Sequence, residues 1–214
     1  MTGDSIPKTL DGIRDLYEGN LAEHGATSKS VGWPDEGSQL LRFERLARVI
    51  DRDAAGFTVN DWGCGYGAMF DYLNRGFDAQ LLRYTGYDIS AEMLGAAKAR
   101  LADARAAFVQ GPEVTSDADY TFVSGTFNVK LQASDAEWDA YVKRQLETMY
   151  LRSRRGLAFN LLTSYVDWKA ENLFYADPRD YFDFCKTKLS RFVSLHHDAR
   201  LYEWTMLVTR DARP

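Results

Sequence analysis

Val59-Asn60-Asp61-Trp62-Gly63-Cys64-Gly65-Tyr66-Gly67 is the stretch whose reading decides the fold. Its first residues read as the end of a β-strand, the three alternate glycines as a sharp turn, and residues 66–75 as the helix that follows. Glycine belongs where the backbone turns hard and a ligand must approach with no Cβ in the way. A turn of this kind at the start of a helix also presents backbone N–H groups to a ligand. A second signal lies downstream in Tyr84-Thr85-Gly86-Tyr87-Asp88-Ile89-Ser90, where Asp88 ends the next strand, 21 residues beyond Gly67. A carboxylate at that place can accept both hydroxyls of a ribose held over the sheet edge. Ser90 suits the N-cap of the next helix, and Met93 and Leu94 are placed to pack on a nucleobase or in the core.

Working outward, strands are expected at 58–62, 82–87, 107–110, 120–124, 156–162, 191–196 and 203–210, with helices near 66–75, 90–104 and 134–151 between the first five. Strands alternating with helices describe a parallel sheet with crossover helices. The last two strands are separated by too few residues for a parallel crossover and must form an antiparallel hairpin. Ahead of the sheet, helices at 8–20 and 37–51 flank an irregular stretch at 24–33, and residues 1–51 read as an N-terminal helical and lid segment of one domain spanning 1–214.

Composition narrows the classes. The 214 residues include Lys+Arg 26 and Asp+Glu 31, a net charge of −5. That balance disfavours a nucleic acid partner, which requires clustered cations. The densest basic run, Arg152, Arg154 and Arg155, reads as a helix C-terminus complementing the macrodipole. Cys64 and Cys185 match no zinc spacing and no secreted disulfide framework, so no metal is expected. No run approaches a membrane span and the N-terminus lacks a signal-peptide core, so a cytoplasmic location is expected.

The turn admits two cofactor classes. Gly63-Cys-Gly65-Tyr-Gly67-Ala68 fits the dinucleotide pattern, but Asp61 would repel a pyrophosphate and attract an amino-acid ammonium. Asp61-x-Gly63-x-Gly65-x-Gly67 with Asp88 resembles the class I S-adenosylmethionine-dependent methyltransferases, over about residues 40–210. The resemblance implies a Rossmann-like α/β fold with a seven-stranded sheet of order 3-2-1-4-5-7-6, strand 7 antiparallel. It implies S-adenosylmethionine as cofactor, with Asp61, Gly63, Cys64, Gly65 and Gly67 at the methionine moiety and Asp88 at the ribose. Ile89, Met93 and Ser124 are counted with the same site. Arg42 matches an arginine near the cofactor carboxylate in some small members, or is a surface salt bridge. After the third strand the family usually carries an acidic residue near the adenine amino group; Pro112 stands there, leaving Glu113 or a backbone group to substitute.

Segments 124–128, 159–167 and 175–178 resemble a narrower set of small stand-alone bacterial methyltransferases, some associated with glycan or small-molecule modification. The acceptor is therefore expected to be a small molecule or glycan precursor, methylated on O or N. In an open α/β sheet, ligands lie beyond the carboxyl ends of the strands. That draws in Asn128 (otherwise a turn residue), Trp33 on the lid, and the aromatic residues Tyr165, Trp168 and Tyr175, which are otherwise packing. His24 and His197 are the candidate bases. The rival functions are a nicotinamide-dependent oxidoreductase and a cofactor-binding protein without transferase activity. A monomer or homodimer is expected.

Overall fold

The computed structural model describes residues 5–211. Helices α1 (Ser5–His24) and α2 (Glu36–Ala47), joined through a 3-10 turn Ser28–Val31, precede an alternating run. That run is β1 (Phe57–Trp62), α3 (Ala68–Phe77), β2 (Leu81–Asp88), α4 (Ala91–Arg100), β3 (Ala106–Gln110), β4 (Ala118–Val123), α5 (Asp135–Leu151) and β5 (Ser153–Thr163). The chain closes with the short β6 (Tyr175–Ala176), α6 (Pro178–Phe184), a π-helical turn Cys185–Leu189, β7 (Phe192–His196) and β8 (Glu203–Thr209).

The sheet order is β3-β2-β1-β4-β5-β8-β7, with β6 paired to β5. β8 runs antiparallel to both β5 and β7. This is the expected Rossmann-like topology with its reversed last strand, plus the additional β6, whose two residues are too few to show any periodicity. α6 also went unread, although Asp177 caps it and Pro178 occupies its first turn, because seven residues carry less than two periods of pattern.

Two apolar layers sandwich the sheet. On one face α2 and α3 bring Leu46, Phe70 and Leu73 against Val59, Tyr84 and Phe122. On the other, α5 and α6 pack Trp138, Leu146 and Tyr181 against Trp62, Phe159 and Trp204. Full burial of each such aliphatic side chain contributes about 1.5–3 kcal/mol. The helices start where the chain supplies caps: Asp35 accepts from Ser38 N, Ser90 accepts from Met93 N, and Ser134 forms a capping box with Glu137.

Besides small changes of bounds, such as α4 ending at Arg100 and β5 starting at Ser153, several expectations shift. The helix expected at 37–51 ends at Ala47; residues 48–50 turn, but Val49 and Ile50 stay buried, which prolonged the apolar stripe. β4 ends at Val123, so Ser124 opens the following loop. Of the basic run only Arg152 caps a helix, whereas Arg154 and Arg155 lie in β5 and pair with Asp119.

What positions the site is the register. Trp62 is level with Tyr87 of β2 and with Val123 of β4. The carboxyl ends of these three strands therefore deliver Gly63, Asp88 and Ser124 to one place.

Candidate active site

At the end of β1 the chain turns at Gly63, whose φ is 75°. Gly63 N and Cys64 N both donate to Tyr87 O, at 2.8 and 3.0 Å. A Cβ on Gly63 would lie 2.3 Å from Thr126 Oγ1, so the loop after β4 closes directly on this residue. Asp88 is held from both sides: Gly65 N donates to Oδ2 at 2.8 Å and Ser90 N to Oδ1 at 2.9 Å. Burial raises the Asp88 carboxyl above its ordinary value, although these N–H groups pull it back.

These ends line a cleft of about 770 Å³, counting the space open at its mouth. Gly63, Gly65, Asp88, Ile89, Met93 and Ser124 all line it, as do Gly111, Gly125, Thr126, Phe127 and Tyr141. The roof comes from α1, through Leu10, Ile13, Arg14 and Tyr17, and from Val31 of the 3-10 turn. Ser90 Oγ donates to Glu18 Oε1 at 2.8 Å, fastening α1 to the element that follows Asp88. Burial and the Asp88 charge push the Tyr17 phenol up to about 12. Ser124 Oγ is buried with no hydrogen-bond partner among the described residues.

Other residues picked out in the sequence lie behind or beside this cleft. Asp61 is 2% exposed, on the α2–α3 side of the sheet, and accepts from Tyr84 Oη at 2.5 Å. Burial raises its carboxyl to about 7, against the opposing Tyr84 hydrogen bond. Cys64 is buried, its thiol pushed well up by burial and by Asp61 and Asp88. Gly67 is the N-cap of α3. Glu113 is exposed, while the Pro112 carbonyl beside it accepts from Trp62 Nε1 at 3.0 Å.

Arg42 and Asn128 belong to a second structure. Arg42, whose side chain is 8% exposed, pairs through Nε and Nη2 with both oxygens of Glu203, itself 2% exposed. Asn128 Nδ2 donates to Glu203 Oε1 at 3.1 Å and Asn160 Nδ2 to Oε2 at 2.6 Å. Asn160 Oδ1 accepts from Gly125 N, and Asn128 Oδ1 from Leu162 N. Trp33 covers this group, its ring 3.6 Å from the Arg42 guanidinium and against Gly125, where a Cβ would lie 2.4 Å from the indole. Neither Glu203 nor Asn160 was picked out, although a lone carboxylate heading an apolar strand and an asparagine inside Phe159-Asn-Leu-Leu were visible signals.

Around the end of β5, Tyr165 and Trp168 are 58% and 74% exposed. His197 lies 6.0 Å from the Tyr165 ring. The neighbouring Asp198 turns away to Arg45 at 2.7 Å, so no His197–Asp198 dyad forms. Tyr175 Oη accepts from Ala170 N, and Tyr181 is buried, donating to Asp139. His24, at the end of α1, approaches Glu23 at 3.7 Å and does not line the cleft. Among the described residues no group of three or more His, Cys, Asp or Glu is arranged to hold a metal ion.

Such a sheet, with a glycine turn, a carboxylate ending the second strand and an apolar cleft between them, defines a nucleoside-binding enzyme of the Rossmann-like class. The comparisons with known proteins narrow that class. A family model described as a methyltransferase domain matches residues 59–156. The methyltransferase-family protein Rv1506c of Mycobacterium tuberculosis is 46% identical over 158 residues, 72% of this chain and 93% of the relative. The fold is similar to that of magnesium protoporphyrin IX methyltransferase (ChlM) from Synechocystis PCC 6803, with TM-score 0.66 and 14% identity, covering 95% of this chain and 97% of the other. It is also similar to a SAM-dependent methyltransferase of Leishmania major, with TM-score 0.69 and 14% identity, covering 98% of this chain and 87% of the other. The chain belongs to the class I S-adenosylmethionine-dependent methyltransferases.

The residues present fit the family's cofactor. Asp88 keeps lone pairs for a diol, Ile89 and Met93 offer apolar walls, and the buried Ser124 hydroxyl awaits a partner.

Proposed function

We propose that this enzyme methylates an oxygen or nitrogen of a small molecule or glycan precursor, and that it works in the cytoplasm as a monomer or homodimer. When bound, S-adenosylmethionine supplies a methyl carbon already activated by its sulfonium. The chain's residues then orient and enclose. Asp88 fixes the ribose, Gly63, Gly65 and Ser124 hold the methionine end, and α1 with Val31 excludes water. With the methyl carbon so activated, what the chain would contribute is chiefly positioning of the two partners in line. An oxygen acceptor must also lose its proton; His197, beside Tyr165, is the group we assign to that task, in preference to His24, which does not line the cleft.

The observation that carries this reading is the pair of exposed rings after β5, Tyr165 and Trp168. Large aromatic faces beyond the carboxyl end of a strand suit the apolar face of a sugar, a flat ring or an alkylamine. A net charge of −5 does not suit a polyanionic acceptor. Among the described residues no helix is long and apolar enough to cross a membrane.

The test is a screen of sugar and amine acceptors that follows release of S-adenosylhomocysteine. For an acceptor found this way, Trp168→Ala is expected to raise KM about three- to tenfold. Affinity for S-adenosylhomocysteine should stay unchanged, and melting should move by no more than a degree or two, since the ring is largely in solvent. An unaltered KM removes the aromatic edge from the acceptor site.

A further inference from the structure

Tyr141 carries a hydroxyl that the fold leaves idle. The residue is 3% exposed and lines the cleft, and its Oη is buried with no hydrogen-bond partner among the described residues. An unpaired buried hydroxyl costs about 1–3 kcal/mol, a cost that phenylalanine at this position would not carry.

The surroundings of Tyr141 indicate what the hydroxyl meets. Its ring packs on Trp138 at 5.1 Å and on Phe127 at 6.5 Å between centroids. Phe127 lies 4.9 Å from Trp62, whose indole donates to Pro112 O. This aromatic column ties α5 to the loop between β3 and β4. Arg144 of α5 and, less strongly, Glu113 of that loop act on the Tyr141 hydroxyl through opposite charges, and Gly111 of the same loop enters the cleft wall. In sheet order β2, which carries Asp88, stands between β1 with its glycine turn and β3 with this loop. A nucleoside anchored by its ribose on Asp88, with its amino-acid tail over the glycine turn, directs its base towards the loop.

We propose that Tyr141 reads the base of the cofactor, its Oη accepting a hydrogen bond from the exocyclic amino group of adenine. Pro112 stands where a carboxylate would be expected for this task, and the tyrosine reaches the same region from a different element. A neutral acceptor in an apolar wall selects an amino group without placing a second negative charge near Asp88.

The test is calorimetric titration of wild type and Tyr141→Phe with S-adenosylhomocysteine and with its analogue lacking the adenine amino group. The variant is expected to bind S-adenosylhomocysteine about three- to tenfold more weakly, the worth of one such bond. The deaminated analogue should bind both proteins within a factor of two, and the free variant should melt no lower than wild type. Equal affinity of the two proteins for S-adenosylhomocysteine overturns the proposal. So does an equal loss for both ligands, or a free variant melting several degrees lower, which would mean that the hydroxyl is already paired. Failure of the wild type to bind S-adenosylhomocysteine would overturn the cofactor assignment itself, and this one with it.

Discussion

The cofactor cleft and the buried cluster around Glu203 are built on opposite principles. On the cofactor side the polar contacts are made by backbone N–H groups on a carboxylate: Gly65 and Ser90 on Asp88. These partners are 23 and 2 residues apart and sit on consecutive turns. Around Glu203 they are made by side chains brought from across the chain. Arg42 and Glu203 are 161 residues apart, Asn128 and Glu203 75, and Asn160 and Glu203 43. Backbone donors cannot be mutated away, so the cofactor side tolerates change around a fixed turn. A buried ion pair tolerates little, because removing one member leaves the other charged, desolvated and unmatched.

The largest effect is expected from breaking the cluster around Glu203. Glu203→Ala should cost about 3–5 kcal/mol, a fall in melting temperature on the order of 6–20 °C for a domain of this size. Asn128 and Asn160 lose an acceptor at the same time, so Glu203→Gln should be milder. A loss below about 1 kcal/mol in urea denaturation would show that the two regions do not differ in this way.

Next comes the cofactor side. Asp88→Ala is expected to weaken S-adenosylhomocysteine binding about 10- to 100-fold, as charged hydrogen bonds to the ribose are lost. Stability should fall by only about 1–3 kcal/mol, for the two N–H groups left without their acceptor. Calorimetry and melting on one sample read both quantities. A variant that loses stability but keeps affinity would move Asp88 from the binding site into the scaffold.

A third effect sharpens the comparison through pH. Glu203 has Arg42 against it, whereas Asp61 has only a tyrosine hydroxyl, and burial raises its carboxyl to about 7. In the unfolded chain an aspartate titrates near 3.9, so the folded state binds the proton more tightly. The stabilisation is therefore complete below about pH 4 and is lost as pH rises towards 7, by at most about 1.4 kcal/mol per unit. Asp61→Asn, which keeps an oxygen for Tyr84, should gain on wild type steadily across that interval and then level off. Urea denaturation at several pH values measures this, and a difference that stays constant would mean that Asp61 titrates normally.

Much of the cofactor side was legible because its logic is short-range. Alternate glycines between a strand and a helix, a carboxylate at the end of the next strand and Ser90 as a cap can each be read in a window of ten residues. The reversed hairpin followed from the length of one connection. The cluster around Glu203 resisted for the opposite reason. Arg42 reads as an arginine near the cofactor carboxylate or a surface salt bridge and Asn128 as an acceptor-site or turn residue, and nothing near either of them announces Glu203. His197 and Asp198 illustrate the converse, since neighbours in sequence part company when Asp198 goes to Arg45.

By itself, the sequence determined the alternation of strands and helices, the glycine turn and the reversed last hairpin, because periodicity, backbone conformation and capping act between near neighbours. The sheet order and the cofactor class followed from the family resemblance that the glycine turn carries. Only the tertiary structure decided that Glu203 gathers Arg42, Asn128 and Asn160, that α1 roofs the cleft, and that Asp61 lies behind it. Tyr141, too, is distinguished from other buried tyrosines only by its missing partner. These depend on which groups are deprived of water together, and desolvation is a property of the packed chain, not of any segment of it.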